Sequence, residues 1–405
     1  MIPELIAPEI QAFVASHEND DVHELVLKNK FIHGVPAALV VRQIVGRNKA
    51  KTKLPSFYRN ERIVYPPSLS LEQSSSEQTA AHKASFVGET ISESVCGAGA
   101  DLTGGLGVDT LYLSRLFKTF HFVEPNADLI EIAKHNLREL GARNVVFHNA
   151  TAETFLASLD RSFDFVYVDP SRRTEGDNRL VTLADCQPNI VSLQDRLLAT
   201  APNVLVKTSP LLDIQRGLAQ LREVASVTVV AVGNECKELL YHLVRDFGGE
   251  PTVRANNILG DTTRSFEFRL NEEREASVEF SEPCAYLYEP NAAVLKAGAF
   301  RLIAERYNVR KLHPNTHVYT SDLLIESFPG RIYRLRAGVG ADPSEFERLF
   351  PDRQTNIVLR NYPASVDELR KKLRVKDGGE KYLLGVTTLS RPQLLAVERL
   401  DLNRS

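Results

Sequence analysis

The sequence is short of several features that would place it in a class at once. Its four cysteines, Cys96, Cys186, Cys236 and Cys284, are far apart and form no C-x-x-C pair, which argues against a zinc module or a disulfide framework and suits a reducing compartment. No metal site is expected. Net charge is also small: 49 Lys and Arg against 52 Asp and Glu leave a formal charge of −3 and a pI near 6.4. There is therefore no global attraction to a polyanion, and any nucleic-acid surface has to be local. No apolar run approaches the ~20 residues that cross a bilayer, and the start, MIPELIAPEI, has neither the basic residues nor the apolar core of a signal peptide. A cytoplasmic protein without a membrane partner is the expectation. At 405 residues the chain has room for two to four domains with sizeable cores.

What is present is concentrated in Ser92 to Thr110, SESVCGAGADLTGGLGVDT. A run of small and apolar residues ends in Asp101. Gly104, Gly105 and Gly107 follow, and amphipathic spacing begins at Val108, Leu111 and Leu116. The pattern predicts a strand, a glycine turn and a helix. Glycines there let a ligand approach the backbone, and the helix amides just beyond point at whatever sits in the turn. A dinucleotide fingerprint fails, because its last glycine falls on Thr110. The frame Gly97, Gly99, Leu102 fails at the same place, and the preceding GETISES makes a poor buried strand. A carboxylate at the strand tip repels a pyrophosphate but attracts an ammonium group, such as that of S-adenosylmethionine.

Asp101-Leu-Thr-Gly-Gly-Leu-Gly107 resembles motif I of the class I S-adenosylmethionine-dependent methyltransferases, and later strands fall into step with it. TFHFVE ends in Glu124, NVVFHNA in Asn149 and Ala150, and FDFVYVDP, apolar almost throughout as a doubly buried strand should be, in Asp169 and Pro170. These tips predict one parallel sheet with its polar ends on the carboxyl edge, an α/β Rossmann-like fold. The resemblance implies S-adenosylmethionine as cofactor, held by Asp101, Thr103, Gly104, Gly105 and Gly107. Glu124 would bond the ribose hydroxyls, and Asn149 and Ala150 would lie near the adenine. Gln73, Ser75 and Thr79, in LEQSSSEQTA, would touch the methionine end or else cap a helix. Asp169 and the Pro170 carbonyl stand where the acceptor meets the methyl group. Many nitrogen-directed members carry Asp/Asn-Pro-Pro-aromatic there. This chain has Ser171 and Arg172 in the last two places, so the stacking platform is missing. Arg172 and Arg173 offer guanidinium forks for phosphate, or pair with Glu175 or Asp177. Cys236 is the one thiol near a strand tip that a carbon-directed mechanism would need, and packing is the plainer role for it.

The flanks suggest domains at 1–85, 86–271, 272–330 and 331–405. The first reads as helical, with a helix from Pro36 to about Lys49 and a basic run through Arg47, Lys49, Lys51 and Lys53 that either follows a phosphate backbone, with Phe57 and Tyr58 stacking on bases, or is a solvated helix end. KELLYHLVRDF is ambiguous between helix and strand. Beyond Asn271 a helix is expected from Ala292 to Arg306, then an α+β unit with a strand at Ile357 to Arg360, a helix from Ser365 to Leu373 carrying Arg370, Lys371 and Lys372, and a final strand KYLLGVTT. The whole resembles a bacterial family that joins a class I core to ferredoxin-like and THUMP-like modules, which implies methylation of a base in tRNA or rRNA. A small-molecule or protein methyltransferase and a non-catalytic RNA-binding protein are the alternatives. The oligomeric state stays open.

Overall fold

The computed structural model describes residues 2–91, 96–160, 162–172, 182–339 and 343–400, so Arg173 and its suggested partners Glu175 and Asp177 lie outside the described residues. Two compact units emerge: residues 1–227 with 237–249, and residues 228–236 with 250–405. The helical N-terminal segment thus belongs to the same unit as the glycine turn.

In the first unit, helices α1 (Ala37–Lys53) and α2 (Glu77–Thr90) precede the sheet. The chain then runs β1 (Cys96–Asp101), α3 (Val108–Leu113), β2 (Phe117–Val123), α4 (Ala127–Glu139), β3 (Val145–His148), β4 (Phe165–Val168), α5 (Ile190–Thr200), β5 (Asn203–Thr208), β6 (Val224–Val232), of which residues 228–232 are assigned to the second unit, and β7 (Glu235–Val244), of which residues 237–244 are assigned to the first. Their spatial order is β3-β2-β1-β4-β5-β7-β6. Strands β1 to β5 pair in parallel, and β7 runs antiparallel to β5 with Leu239 opposite Thr208. All four residues of β4 are buried, as its unbroken apolar run requires. Asn126 caps α4 by accepting from the Asp128 and Leu129 amides, and Ser76 caps α2 by accepting from Thr79. The N-terminal helices share one core with α3 and α4, in which Leu5, Val40, Ile44 and Phe57 meet Leu111, Ile130 and Leu137.

KELLYHLVRDF resolves as strand. Residues Leu239 to Leu243 are buried without a break, and burial on both faces leaves no polar side for a surface helix. The antiparallel strand expected of this fold but not assignable from pattern is therefore β7.

In the second unit a hairpin, β8 (Thr252–Leu259) and β9 (Thr262–Arg269), is followed by β10 (Tyr286–Pro290), α6 (Ala292–Ala297), α7 (Leu302–Tyr307), β11 (Arg310–His313), β12 (Thr316–Ser321), β13 (Gly330–Val339), β14 (Asn356–Arg360), α8 (Val366–Leu373), β15 (Lys381–Thr387) and β16 (Pro392–Leu400). Strands β10 to β16 form one sheet in the order β11-β12-β10-β13-β16-β15-β14. Leu384 and Leu395 enter one core, and the adjacent Leu383 and Ala396 enter another with Phe346 and Phe350. The single helix expected from Ala292 to Arg306 is two, because Gly298 takes a left-handed conformation (φ +83°) that closes α6. KYLLGVTT is not the final strand: β16 follows it and pairs with both β15 and β13.

Candidate functional site

The site is built on the turn between β1 and α3. The Gly104 amide donates to the Val123 carbonyl at 2.9 Å, which seats the turn on β2. A Cβ at Gly104 would stand 2.3 Å from the buried Phe122 ring, so only glycine allows this approach. Glu124, at the tip of β2, accepts from the Gly105 amide at 3.0 Å and the Asn126 amide at 2.9 Å, and is thereby held in one orientation. Beside these lies a cavity of about 510 Å³. Thr103, Gly104, Gly105 and Gly107 line it together with Glu124, Asp169 and Gln73.

Several residues named from the sequence do not reach this cavity. Asp101 is buried beneath the turn. Its carboxylate accepts from the Thr103 amide at 3.0 Å and the Thr110 hydroxyl at 2.7 Å, and burial pushes its pKa up to about 7. Thr79 is buried and bonded to Ser76 at the start of α2. Asn149 donates to the carbonyls of Glu124 and Pro125, both at 3.0 Å, and so ties the β3 tip to the β2 tip; neither it nor Ala150 lines the cavity. Pro170 is buried, also outside the lining. Arg172 lies in a short strand with Ser171, and Ser171 does line the cavity.

Asp169 is the acid that faces the cavity from β4. Its amide donates to the Thr103 hydroxyl at 2.7 Å, and its carboxylate pairs with Lys207 at the end of β5. Burial alone would lower the Lys207 pKa, but Asp169, Glu238 and Asp109 outweigh it and hold the ammonium charged.

Sequence reasoning missed Asp109 and Lys83. Asp109, in the first turn of α3, lines the cavity and accepts from Ser75 at 2.7 Å and Tyr167 at 2.9 Å. An acid after the last glycine was a visible signal, readable as a complement to the helix dipole. Lys83 is fully buried on α2, 3.0 Å from Asp109 and 2.8 Å from Glu238 of β7. Burial works against the Asp109 charge, but Lys83 and Lys207 prevail and hold its pKa below the usual range, whereas burial raises that of Glu238.

Two other candidates are consumed by packing. The Cys236 thiol contacts the Ala292 carbonyl at 3.2 Å and burial raises its pKa, the reverse of an activated nucleophile. In the N-terminal basic run Phe57 is fully buried and Arg47 covers the Tyr58 ring at 4.5 Å. Lys49 pairs with Glu72, and Lys53 donates to the Leu71 and Glu72 carbonyls, so this run is a satisfied helix face rather than a base-stacking surface.

This sheet order, turn and cavity define a class I methyltransferase, and the chain belongs to the family of S-adenosylmethionine-dependent methyltransferases with C-terminal ferredoxin-like and THUMP-like domains. A Porphyromonas gingivalis W83 protein described as a "putative methyltransferase" is 33% identical in its crystal structure, with 98% of each chain covered and a TM-score of 0.86. An "uncharacterized S-adenosylmethionine-dependent methyltransferase" of Mycobacterium tuberculosis is 22% identical over 315 residues, 76% of this chain and 80% of its own. Residues 286–329 match a ferredoxin-like domain family and residues 330–399 a THUMP domain-like family. The protein is an S-adenosylmethionine-dependent methyltransferase.

Proposed function

We propose that the methyl acceptor is a base in tRNA or rRNA. The observation that carries this reading is the THUMP domain-like match over residues 330–399, within which Lys371 and Lys372 of α8 are exposed and carry no ion pair among the described residues. Phosphate contacts of that kind give affinity and register without sequence preference. Arg370 adds less, because Asp367 and Asp377 already engage it.

The turn fits the cofactor: Gly104 lets the backbone lie against Phe122, and Gly105 and Gly107, at φ +55° and +85°, bring bare backbone to the cavity wall. S-adenosylmethionine supplies an electrophilic methyl group on a sulfonium. Glu124, oriented by two backbone amides, accepts the ribose hydroxyls, while Gln73 and Ser75 border the methionine end. Asp169 orients the acceptor: with Lys207 on Oδ2, the Oδ1 oxygen is left to take the N–H or O–H that is methylated. Lys207 holds this carboxylate in place through their ion pair.

The test is transfer of labelled methyl from S-adenosylmethionine to total tRNA and rRNA. Asp169→Asn is expected to lower turnover about 10²–10⁴-fold with cofactor affinity by calorimetry unchanged, and Glu124→Gln to weaken cofactor binding. Label appearing in protein or small metabolites but not in RNA would overturn the RNA assignment.

A further inference from the structure

The second unit holds a cavity of its own, about 550 Å³, bordered by Glu273, Phe280, Phe300, Arg301, Lys311 and His317. Its size lies in the range of about 300–1,000 Å³ that suits small-molecule sites. Lys311, on β11, is 4% exposed. Burying an ammonium is costly unless it is paired, and the molecule's other deeply buried lysines obey this: Lys83 meets Asp109 and Glu238, and Lys207 meets Asp169. Lys311 does not. Among the described residues its Nζ hydrogen-bonds the Pro314 carbonyl, at 2.8 Å, and lies 5.6 Å from the Phe300 ring centroid, with no carboxylate at ion-pair distance.

Glu273, the acid that acts on Lys311, is already engaged. Its oxygens accept from the backbone amides of Phe300, Arg301 and Leu302 at 2.9 to 3.2 Å. Arg301, at the same rim, is exposed and its guanidinium has no ion pair among the described residues. His317 stacks on Phe300 with ring centroids 3.8 Å apart, and burial together with Lys311 lowers its pKa to about 4, so it adds no charge. The polar side of the cavity therefore presents two cations against one carboxylate, whose oxygens are already taken up by backbone amides. Phe280 supplies the other requirement of a ligand site, a ring 37% exposed.

We propose that this cavity binds a nucleotide, its phosphate on Lys311 and Arg301 and its base against Phe280. The chemistry is shared by a free mononucleotide and by the phosphorylated end of an RNA strand. The site is separate from the methyl-transfer pocket and does not depend on the identity of the methyl acceptor.

The test uses the full chain with the cofactor pocket saturated by S-adenosylhomocysteine. Uridine 5′-monophosphate and a 5′-phosphorylated pentauridylate are titrated separately by equilibrium dialysis, with inorganic phosphate as reference. Lys311→Met is expected to weaken nucleotide binding at least tenfold and Phe280→Ala at least threefold, both leaving S-adenosylhomocysteine affinity unchanged. Binding of the mononucleotide identifies a free ligand, and binding of the pentamer alone identifies an RNA end. If Lys311→Met fails to fold, Arg301→Ala and Phe280→Ala carry the test, since both side chains are on the surface. No binding of either probe, binding no tighter than inorganic phosphate, or binding indifferent to these substitutions would overturn the proposal. Retained cofactor binding in those cases would leave the methyltransferase assignment intact.

Discussion

Asp101 stands at the position where motif I places its acid, yet it acts from behind the turn. Its two acceptor bonds hold Thr103 and Thr110, and through them the shape of the loop. With its pKa raised by burial from the ordinary 3.8 to about 7, the folded protein binds a proton there that the unfolded chain has lost. Stability should therefore fall as pH rises through the interval from 3.8 to 7, with the full penalty present above it. Asp101→Asn removes this titration. Its stability relative to the parent should improve by about 4 kcal/mol between pH 4 and pH 8, since each tenfold change in proton affinity is worth about 1.36 kcal/mol, as read from urea midpoints at the two pH values. A difference that does not change with pH would mean that the carboxyl stays ionised throughout.

Among the elements, α2, α3 and β7 are joined by one buried charge network. Lys83 brings the positive charge, Asp109 and Glu238 the negative, and Ser75 and Tyr167 take up remaining oxygen lone pairs. Because Asp109 also lines the cavity, the network fixes one wall of it against the antiparallel strand. Lys83→Met should cost about 3–5 kcal/mol, since it strands two buried carboxylates. Adding Glu238→Leu should recover part of that loss, and a double-mutant cycle by chemical denaturation measures how much. Strict additivity would show that the groups are not coupled. Lys207 and Asp169 repeat the arrangement at the tips of β4 and β5, beside the proposed acceptor position.

At the scale of the whole molecule, charge distribution matters more than total charge. A chain of net charge −3 offers RNA no general attraction, and the basic side chains of its N-terminal run are engaged by its own residues. If RNA lies on α8, replacing Lys371 and Lys372 by Ala should weaken binding across unrelated RNAs. It should also flatten the slope of log affinity against log salt by about 1.4, at roughly 0.7 per phosphate contact on a single strand. Arg370→Ala should change the slope less, because its charge is already answered by Asp367 and Asp377. Filter-binding between low and moderate salt is the measurement, and a slope unchanged by the double substitution would remove α8 from the interface.

The sequence by itself determined the glycine turn, the strand tips at Glu124 and Asp169 and the order of βα units, because these rest on local signals: an apolar run, a helix start, a residue that only glycine can replace. The tertiary structure decided that Asp109 and Asp169 line the cavity while Asp101 lies beneath the turn, that KELLYHLVRDF is a strand, and that Phe57 and Tyr58 are packed away. It also decided the place of Lys83, whose position in AAHK shows nothing of a partner 155 residues downstream. The physical reason is the same in each case. Burial, and the charge partners that make burial tolerable, come from segments distant in the chain, and no local pattern specifies which of them will meet.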